Sequence, residues 1–160
     1  MKLTILSTFL ALACTCYAQS TAHHDAVNQH GDQVMGFSHE KTTHHFRLYA
    51  DGGAIEVTAN DPKDTESRDQ IQMHLSHIAG MFSAGNFEAP MLIHSQTPPG
   101  VPTLQRLKGE VVYRFEKLDT GGRVTITTKN DEALKAVYEF LRFQISDHVT
   151  GDSTAISSKK

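Results

Sequence analysis

The sequence predicts an α+β domain in which two tandem ββα units form a four-stranded antiparallel sheet with two helices on one face. Two observations lead to this prediction: a hairpin pattern followed by a helical apolar stripe occurs twice, and the two copies align. Gly53 matches Gly122 in the hairpin turns, and Gly85 matches Gly151 after the helices. Because each unit has one apolar sheet face and one apolar helical stripe, the two must bury each other. Chance similarity between two hairpin–helix units is the alternative interpretation.

The first unit begins with alternating polar and apolar residues from Thr43 to Ala50. A turn at Asp51-Gly52-Gly53 returns the chain as a second strand. Asn60-Asp61-Pro62 predicts a helix start, because the Asp can cap the helix and the Pro suits its first position. Gly85 predicts the end of this helix, whose apolar stripe is Ile71, Leu75, Ile78 and Phe82.

The second unit repeats this order. Alternation from Val111 leads to a turn at Asp119-Thr120-Gly121-Gly122, after which Val124 and Ile126 predict the returning strand. Asn130-Asp131-Glu132 predicts the cap of a second helix, whose apolar stripe is Leu134, Val137, Leu141 and Ile145. Residues 86–108 hold four of the five prolines and predict a long irregular linker that shapes a cleft.

The chain divides into four segments. Residues 1–18 match an export signal peptide, with Lys2 before an apolar run and Cys16-Tyr17-Ala18 before the cleavage position. Residues 19–42 are predicted to form a polar, His-rich, mobile arm, residues 43–152 a single α+β domain, and residues 153–160 a disordered tail. We therefore expect a periplasmic or secreted protein. A lipoprotein signal, with Cys14 acylated, is the alternative.

Composition excludes several classes of function. Cleavage after residue 18 would remove both cysteines, so no disulfide and no thiolate ligand would remain. Loss of Lys2 from the 15 basic residues would leave 14 against 18 acidic ones, a net charge of −4. With no basic run, nucleic-acid binding is not expected. No later stretch is apolar enough to predict a transmembrane helix.

The ten histidines are the strongest chemical signal in the sequence. Imidazole is a common ligand of transition metals, so this number predicts metal binding. The histidines in the arm would bind a metal loosely. At every position, the alternative is that the histidine is solvated or structural and is not a ligand. Eight of the ten form pairs or near-pairs, namely His23-His24, His30 with His39, His44-His45, and His74 with His77.

The two helices differ near one end. Ile78 and Phe82 of the first stripe correspond to Gln144 and His148 of the second. A polar group on a packed face costs free energy unless it finds a partner, so this exchange indicates a candidate site. Asp147 would orient the neighbouring His148 ring. A solvated helix end is the alternative interpretation.

The preferred metal site combines His44 and His148. His44 shares one face of its strand with apolar residues, and antiparallel pairing of the units would bring the end of the second helix towards it. Met35 or His39 would close over this site from the arm. Together these residues would supply imidazole and thioether ligands.

A second site is predicted on the first helix. His74 and His77 lie three residues apart and can direct both rings towards one ion, with His94 as a further member. Because His74 lies about 20 Å along the helix from its predicted start, we expect this cluster to be separate from His44.

Imidazole and thioether without thiolate favour copper, although zinc stays open. The function predicted is storage, delivery or sensing of that ion. A metal-independent module that binds a protein or ligand, with pH-responsive histidines, is the alternative. A metal-dependent hydrolase or redox enzyme is less favoured, because no P-loop, G-x-S-x-G or Rossmann signature is present. Unblocked sheet edges would also suit a homodimer or a protein partner.

Four stretches resemble a group of small exported bacterial proteins of unknown function. The likeness covers residues 30–152, which supports the predicted domain limits and implies no particular activity. The stretches are Val34-Met35-Gly36-Phe37, Thr43-His44-His45-Phe46, residues 74–78 (HLSHI) and residues 140–148 (FLRFQISDH).

Overall fold

The computed structural model describes residues 8–158, and the side chains of its first helix from residue 22 onward. The side chains of the predicted signal peptide and the last two residues of the tail lie outside this description. No described helix is long and apolar enough to cross a membrane. The helices are α1 (Thr8–Met35), α2 (Thr65–Ser83), α3 (Glu88–His94), α4 (Val101–Arg106) and α5 (Asp131–Asp147), and the strands are β1 (Thr42–Tyr49), β2 (Gly52–Ala59), β3 (Val111–Leu118) and β4 (Gly121–Thr128).

The four strands form one antiparallel sheet in the order β1-β2-β4-β3. This confirms the predicted fold class. Each strand of the first unit begins 69 residues before its counterpart, whereas Thr65 of α2 precedes Asp131 of α5 by 66 residues. The second unit is therefore three residues shorter between its hairpin and its helix.

Both helices pack on the same face of the sheet, and each crosses onto the hairpin of the other unit. A Cβ atom on Gly53 would lie 2.3 Å from Cδ1 of Leu141, and one on Gly122 would lie 3.2 Å from Cδ1 of Leu75. Glycine at these two places lets each helix approach the opposite hairpin closely. The exchange of helices between units explains why the end of α5 reaches β1.

The cap of the first helix differs from its predicted position. Asp64, rather than Asp61, accepts from the backbone N–H of Ser67 at 3.0 Å, so α2 begins at Thr65. Asp61 accepts from the Lys63 N–H within the preceding turn instead. The cap of α5 is as predicted, because the Asn130 side chain accepts from the first free N–H groups of the helix.

The linker between the units is more regular than its prolines predict. It contains α3 and α4, and its buried side chains cover the sheet-facing helices. Gly100 turns the chain between them at a positive φ of 82°, where a Cβ would lie 2.2 Å from the Ala136 carbonyl oxygen. The long connection is therefore a packed layer of the domain, and it contributes Phe87, Ile93, Val101 and Leu104 to the core.

The segment expected to be a mobile arm is largely helical. Residues 19–35 belong to α1, which packs against α3 and buries Val27 and Met35 at 1% and 9% exposure. These two apolar side chains are eight residues apart and share one helical face. Because the residues between them are mostly polar, this helical spacing was not evident in the sequence. The expected disordered tail also has an ordered contact, since the Ser157 N–H donates to the Leu48 carbonyl along β1.

Candidate functional site

Three imidazole rings meet where the end of α5 reaches β1. The rings of His44 and His148 are nearly parallel, with their centroids 5.8 Å apart. His94, at the end of α3, packs edge-on against His148 with a centroid distance of 4.9 Å. Phe46 completes the contact at 5.6 Å from His148. We refer to His44, His94 and His148 as the histidine cluster.

The chain after α5 holds His148 in this position. The carboxylate of Asp152 accepts from the backbone N–H of Phe46 at 2.9 Å and lies 2.9 Å from His45 Nδ1. The Thr150 hydroxyl donates to it at 2.8 Å, and the Arg47 guanidinium lies 3.4 Å from it. These bonds tie the chain after α5 to β1 immediately beside His44. The backbone therefore holds the rings of His44 and His148 next to each other.

His44 and His148 of this cluster border a cavity of about 60 Å³, which we call the inner cavity. Most of its lining is apolar, from both hairpin strands, α2, α3 and α5. That volume is ample for one or more water-sized molecules, and an apolar wall gives such a molecule few partners. Its polar or thioether-bearing lining residues are Met35, His44, His74, Gln144 and His148.

Nε2 of His44, a buried polar atom in this lining, has no hydrogen-bond partner. The Gln144 amide, only 4% exposed, is held by His94. An unsatisfied buried polar group costs about 1–3 kcal/mol, so such atoms in a packed core indicate a place for a ligand. No hydrogen bond from the described residues reaches the His148 ring either.

Burial keeps the rings of His44 and His148 uncharged at neutral pH. It lowers the pKa of His44 to about 4, and the neighbouring His74 lowers it further. Burial likewise lowers the pKa of His148 to about 3, with additional contributions from the charges of His44 and His94. Neutral imidazole has a free lone pair, which is the form that coordinates metals.

His94 belongs to a hydrogen-bonded chain that runs from the surface to the inner cavity. Its Nδ1 lies 2.5 Å from one Asp147 oxygen, and its Nε2 lies 2.9 Å from Gln144 Oε1. His23 of α1 donates to the other Asp147 oxygen at 2.9 Å. Burial alone would raise the pKa of Asp147, but these two histidine hydrogen bonds lower it below its ordinary value. The chain therefore fixes the Gln144 amide at the cavity wall.

We expected Asp147 to orient the His148 ring because the two residues are adjacent, but it does not. Consecutive residues of a helix point about 100° apart, so the Asp147 carboxylate faces α3 and α1 while His148 faces β1. His94 also differs from its predicted place. It lies in the histidine cluster rather than beside His74 and His77, because α3 carries it across the domain.

His74 lines the same inner cavity as His44, although we expected it in a separate cluster. Since α2 begins at Thr65, His74 lies only about 14 Å along the helix. Phe37 stands beside both rings, 6.0 Å from His44 and 5.6 Å from His74 between centroids. Burial, with a smaller contribution from His77, lowers the pKa of His74 to about 4.

The remaining predicted ligands have different surroundings. His77 is exposed and lines neither the inner cavity nor the pocket beside it. Met35 lines both. His39 donates from its backbone and lies within hydrogen-bond distance of Asp32 through Nδ1, at 2.7 and 2.9 Å. It borders the second pocket but not the inner cavity.

That second pocket, of about 230 Å³, lies under α1 and is more polar than the inner cavity. We call it the outer pocket. His44, His148 and Met35 line both spaces and so form the partition between them. The other side chains around the outer pocket include His24, Asn28, His39, Thr43 and Thr150.

Sequence reasoning missed His24 as part of the site, because nothing in its polar surroundings predicted that α1 would pack over β1. Within residues 8–158, no three His, Cys, Asp or Glu side chains converge in the manner of a metal centre. The arrangement is instead a pair of neutral imidazoles beside a thioether. No family model, curated protein or solved structure matches the chain in the comparisons made.

Proposed function

We propose that this protein binds one copper(I) ion through His44 and His148, with Met35 as a thioether ligand, for storage, delivery or sensing. The single observation that carries the proposal is the partnerless Nε2 of His44, buried in a neutral ring beside a second neutral ring. An enclosed nitrogen of this kind gains a partner when an ion binds there. We also propose, from the signal pattern, that the protein acts outside the cytoplasm.

Electrostatics support binding at neutral pH. A metal must displace any proton held by its ligands, and rings whose pKa lies at about 4 and about 3 hold none at pH 7. Burial in a largely apolar wall also disfavours an ion that keeps its hydration shell. These features suit an ion that binds few ligands and gives up its water readily.

The ligand types favour copper(I) over zinc. Thioether sulfur is a soft donor that selects copper(I), whereas structural zinc takes four ligands from Cys, His and carboxylates. Two imidazoles and one thioether fall short of the zinc arrangement and match a low-coordinate soft ion. His74, which also lines the inner cavity, would be an additional imidazole ligand for the same ion.

An anaerobic competition titration tests the proposal. Copper(I) is added to the mature protein in the presence of a chromogenic copper(I) chelator, and the share taken by the protein is measured. We expect one ion per chain, and a loss of affinity of more than about 100-fold in His148→Ala, since even indirect ligand partners contribute 10–100-fold. His77→Ala is the matched control, because this exposed ring lines neither space.

Equal affinities in wild type, His148→Ala and His44→Ala, with all three folded, would contradict the proposal. In that case the inner cavity would point to the metal-independent alternative, a site for a small uncharged ligand. Thermal unfolding gives an independent reading of uptake. An ion present at 100 times its Kd should raise Tm by about 5–10 °C.

A further inference from the structure

The outer pocket contains an imidazole that the proposed copper site does not use. His24 of α1 lines this pocket together with His44 and His148. Its Nδ1 is buried and has no hydrogen-bond partner, while its Nε2 lies 3.3 Å from the Asn28 amide. The ring is close enough to His148 for its charge to influence that ring. His24 is therefore placed beside the partition, and its Nδ1 becomes a coordinating atom in the Nε2–H tautomer, which gives up the hydrogen bond from Asn28.

The inner cavity and the outer pocket differ as routes to the partition. The inner cavity is lined largely by apolar side chains from the sheet and from α1, α2, α3 and α5, so an ion approaching through it would lose its hydration without compensation. The outer pocket offers hydroxyl, amide and imidazole groups, and Thr43 on its wall is exposed. The more polar lining makes the outer pocket the more favourable approach to His44 and His148 for an ion.

The other α1 histidines are engaged elsewhere. His23 donates to Asp147 at 2.9 Å, and His30 lies 3.5 Å from the Ser95 hydroxyl. Neither lines the inner cavity or the outer pocket. On the described part of α1, His24 is thus the histidine that can meet an ion beside the partition.

We propose that His24 is a transfer ligand, which binds the copper(I) ion in the outer pocket while it passes to or from His44 and His148. The inference rests on the proposed copper site. A transfer ligand stabilises the transition between two bound states, so it speeds uptake and release equally and leaves the equilibrium affinity unchanged. α1 then has a function in exchange besides covering the domain.

Stopped-flow transfer of copper(I) between the protein and a chromogenic chelator tests this inference in both directions. We expect His24→Leu to slow uptake and release by at least about tenfold, with Kd within twofold of wild type. His30→Leu, on the same helix, should exchange at the wild-type rate. His24→Gln serves as a second variant, because it keeps a polar side chain in the pocket if Leu disturbs the packing of α1.

Each outcome has a distinct meaning. Slow exchange with unchanged Kd in both His24 variants supports the inference. Wild-type rates in both variants overturn it and leave the copper site intact. A fall in affinity equal to that of His148→Ala also overturns it, because His24 would then be a permanent ligand. Failure of the wild-type protein to take up copper(I) overturns the copper site and the transfer role together.

Discussion

Two ring clusters occupy equivalent places in the two ββα units, and they differ in chemistry. At the end of α2, Phe82 stacks on Phe87 with centroids 4.3 Å apart and meets Tyr113 edge-on at 5.6 Å. At the end of α5, His148 replaces Phe82, and His44 replaces Tyr113 at the matching strand position. We call the first group the aromatic cluster.

The short helix α3 joins the two clusters. Phe87, immediately before it, completes the aromatic cluster, and His94, its last residue, completes the histidine cluster. Burial of aromatic side chains stabilises a fold strongly, at about 25 cal/mol per Å² of apolar surface. Burial of imidazole gives less and leaves polar atoms unsatisfied. The comparison indicates that the aromatic cluster stabilises the fold more than the histidine cluster does, as the proposed binding role of the histidines would require.

The largest expected difference between the clusters is the response of stability to acid. The pKa values of His44, His74 and His148 are lowered in the fold to about 4, 4 and 3, while the unfolded rings titrate near 6.5. Protons therefore bind the unfolded chain first, and the free energy of unfolding falls as pH drops from 6.5 towards 4. Each such ring is expected to lower the free energy of unfolding by about 2 kcal/mol at pH 5 relative to neutral pH. Urea unfolding of the metal-free protein at several pH values measures the slope.

Replacing one ring by its counterpart in the other unit sharpens this comparison. His148→Phe should unfold with a shallower pH dependence, because one lowered pKa is removed. His77→Ala should change the slope much less than His148→Phe, since its ring is exposed and makes only the smaller contribution to the lowered pKa of His74. An unchanged slope in His148→Phe would show that the acid sensitivity arises elsewhere. Asp147 and Asp152 also have lowered pKa values, but they affect the free energy of unfolding in a different pH range, below about pH 4.

A smaller effect is expected at the strand position that the clusters share. The buried hydroxyl of Tyr113 has no hydrogen-bond partner, and burial raises its pKa. Tyr113→Phe should leave the free energy of unfolding unchanged or raise it by up to about 1 kcal/mol, with copper(I) uptake intact. The matched change, His44→Phe, should be similarly tolerated by the metal-free protein and should abolish uptake. A loss of stability above about 2 kcal/mol in Tyr113→Phe would contradict this account of the aromatic cluster.

Much of the fold could be predicted from the sequence because the signals are local. Alternation fixed the inward face of β1, and the Asn130 cap and the glycine turns marked the second unit. The cap of α2 was misplaced by three residues, since Asp61 and Asp64 both precede helical residues and only the fold selects one. The linker helices α3 and α4 escaped notice because they are only seven and six residues long and each contains a proline. The part of α1 after the predicted signal peptide escaped notice because it has few apolar residues, and its burial depends on the rest of the domain.

The candidate site was partly predictable for the same reason. Comparison of the two helices singled out Gln144 and His148, because a repeat allows position-by-position reading. His94 and His24 lie in segments without a counterpart in the other unit, so no internal comparison could place them. The partners of Asp147 depend on how α1 and α3 cross α5, which is a long-range property of the fold.

X-ray absorption spectroscopy of the protein loaded with one equivalent of copper(I) tests the central claim most directly. The account predicts scattering from two imidazole nitrogens and one sulfur, with the sulfur lost in Met35→Leu and one imidazole lost in His148→Phe. A spectrum without sulfur, or one that neither substitution changes, would contradict the assignment of copper(I) to His44, His148 and Met35.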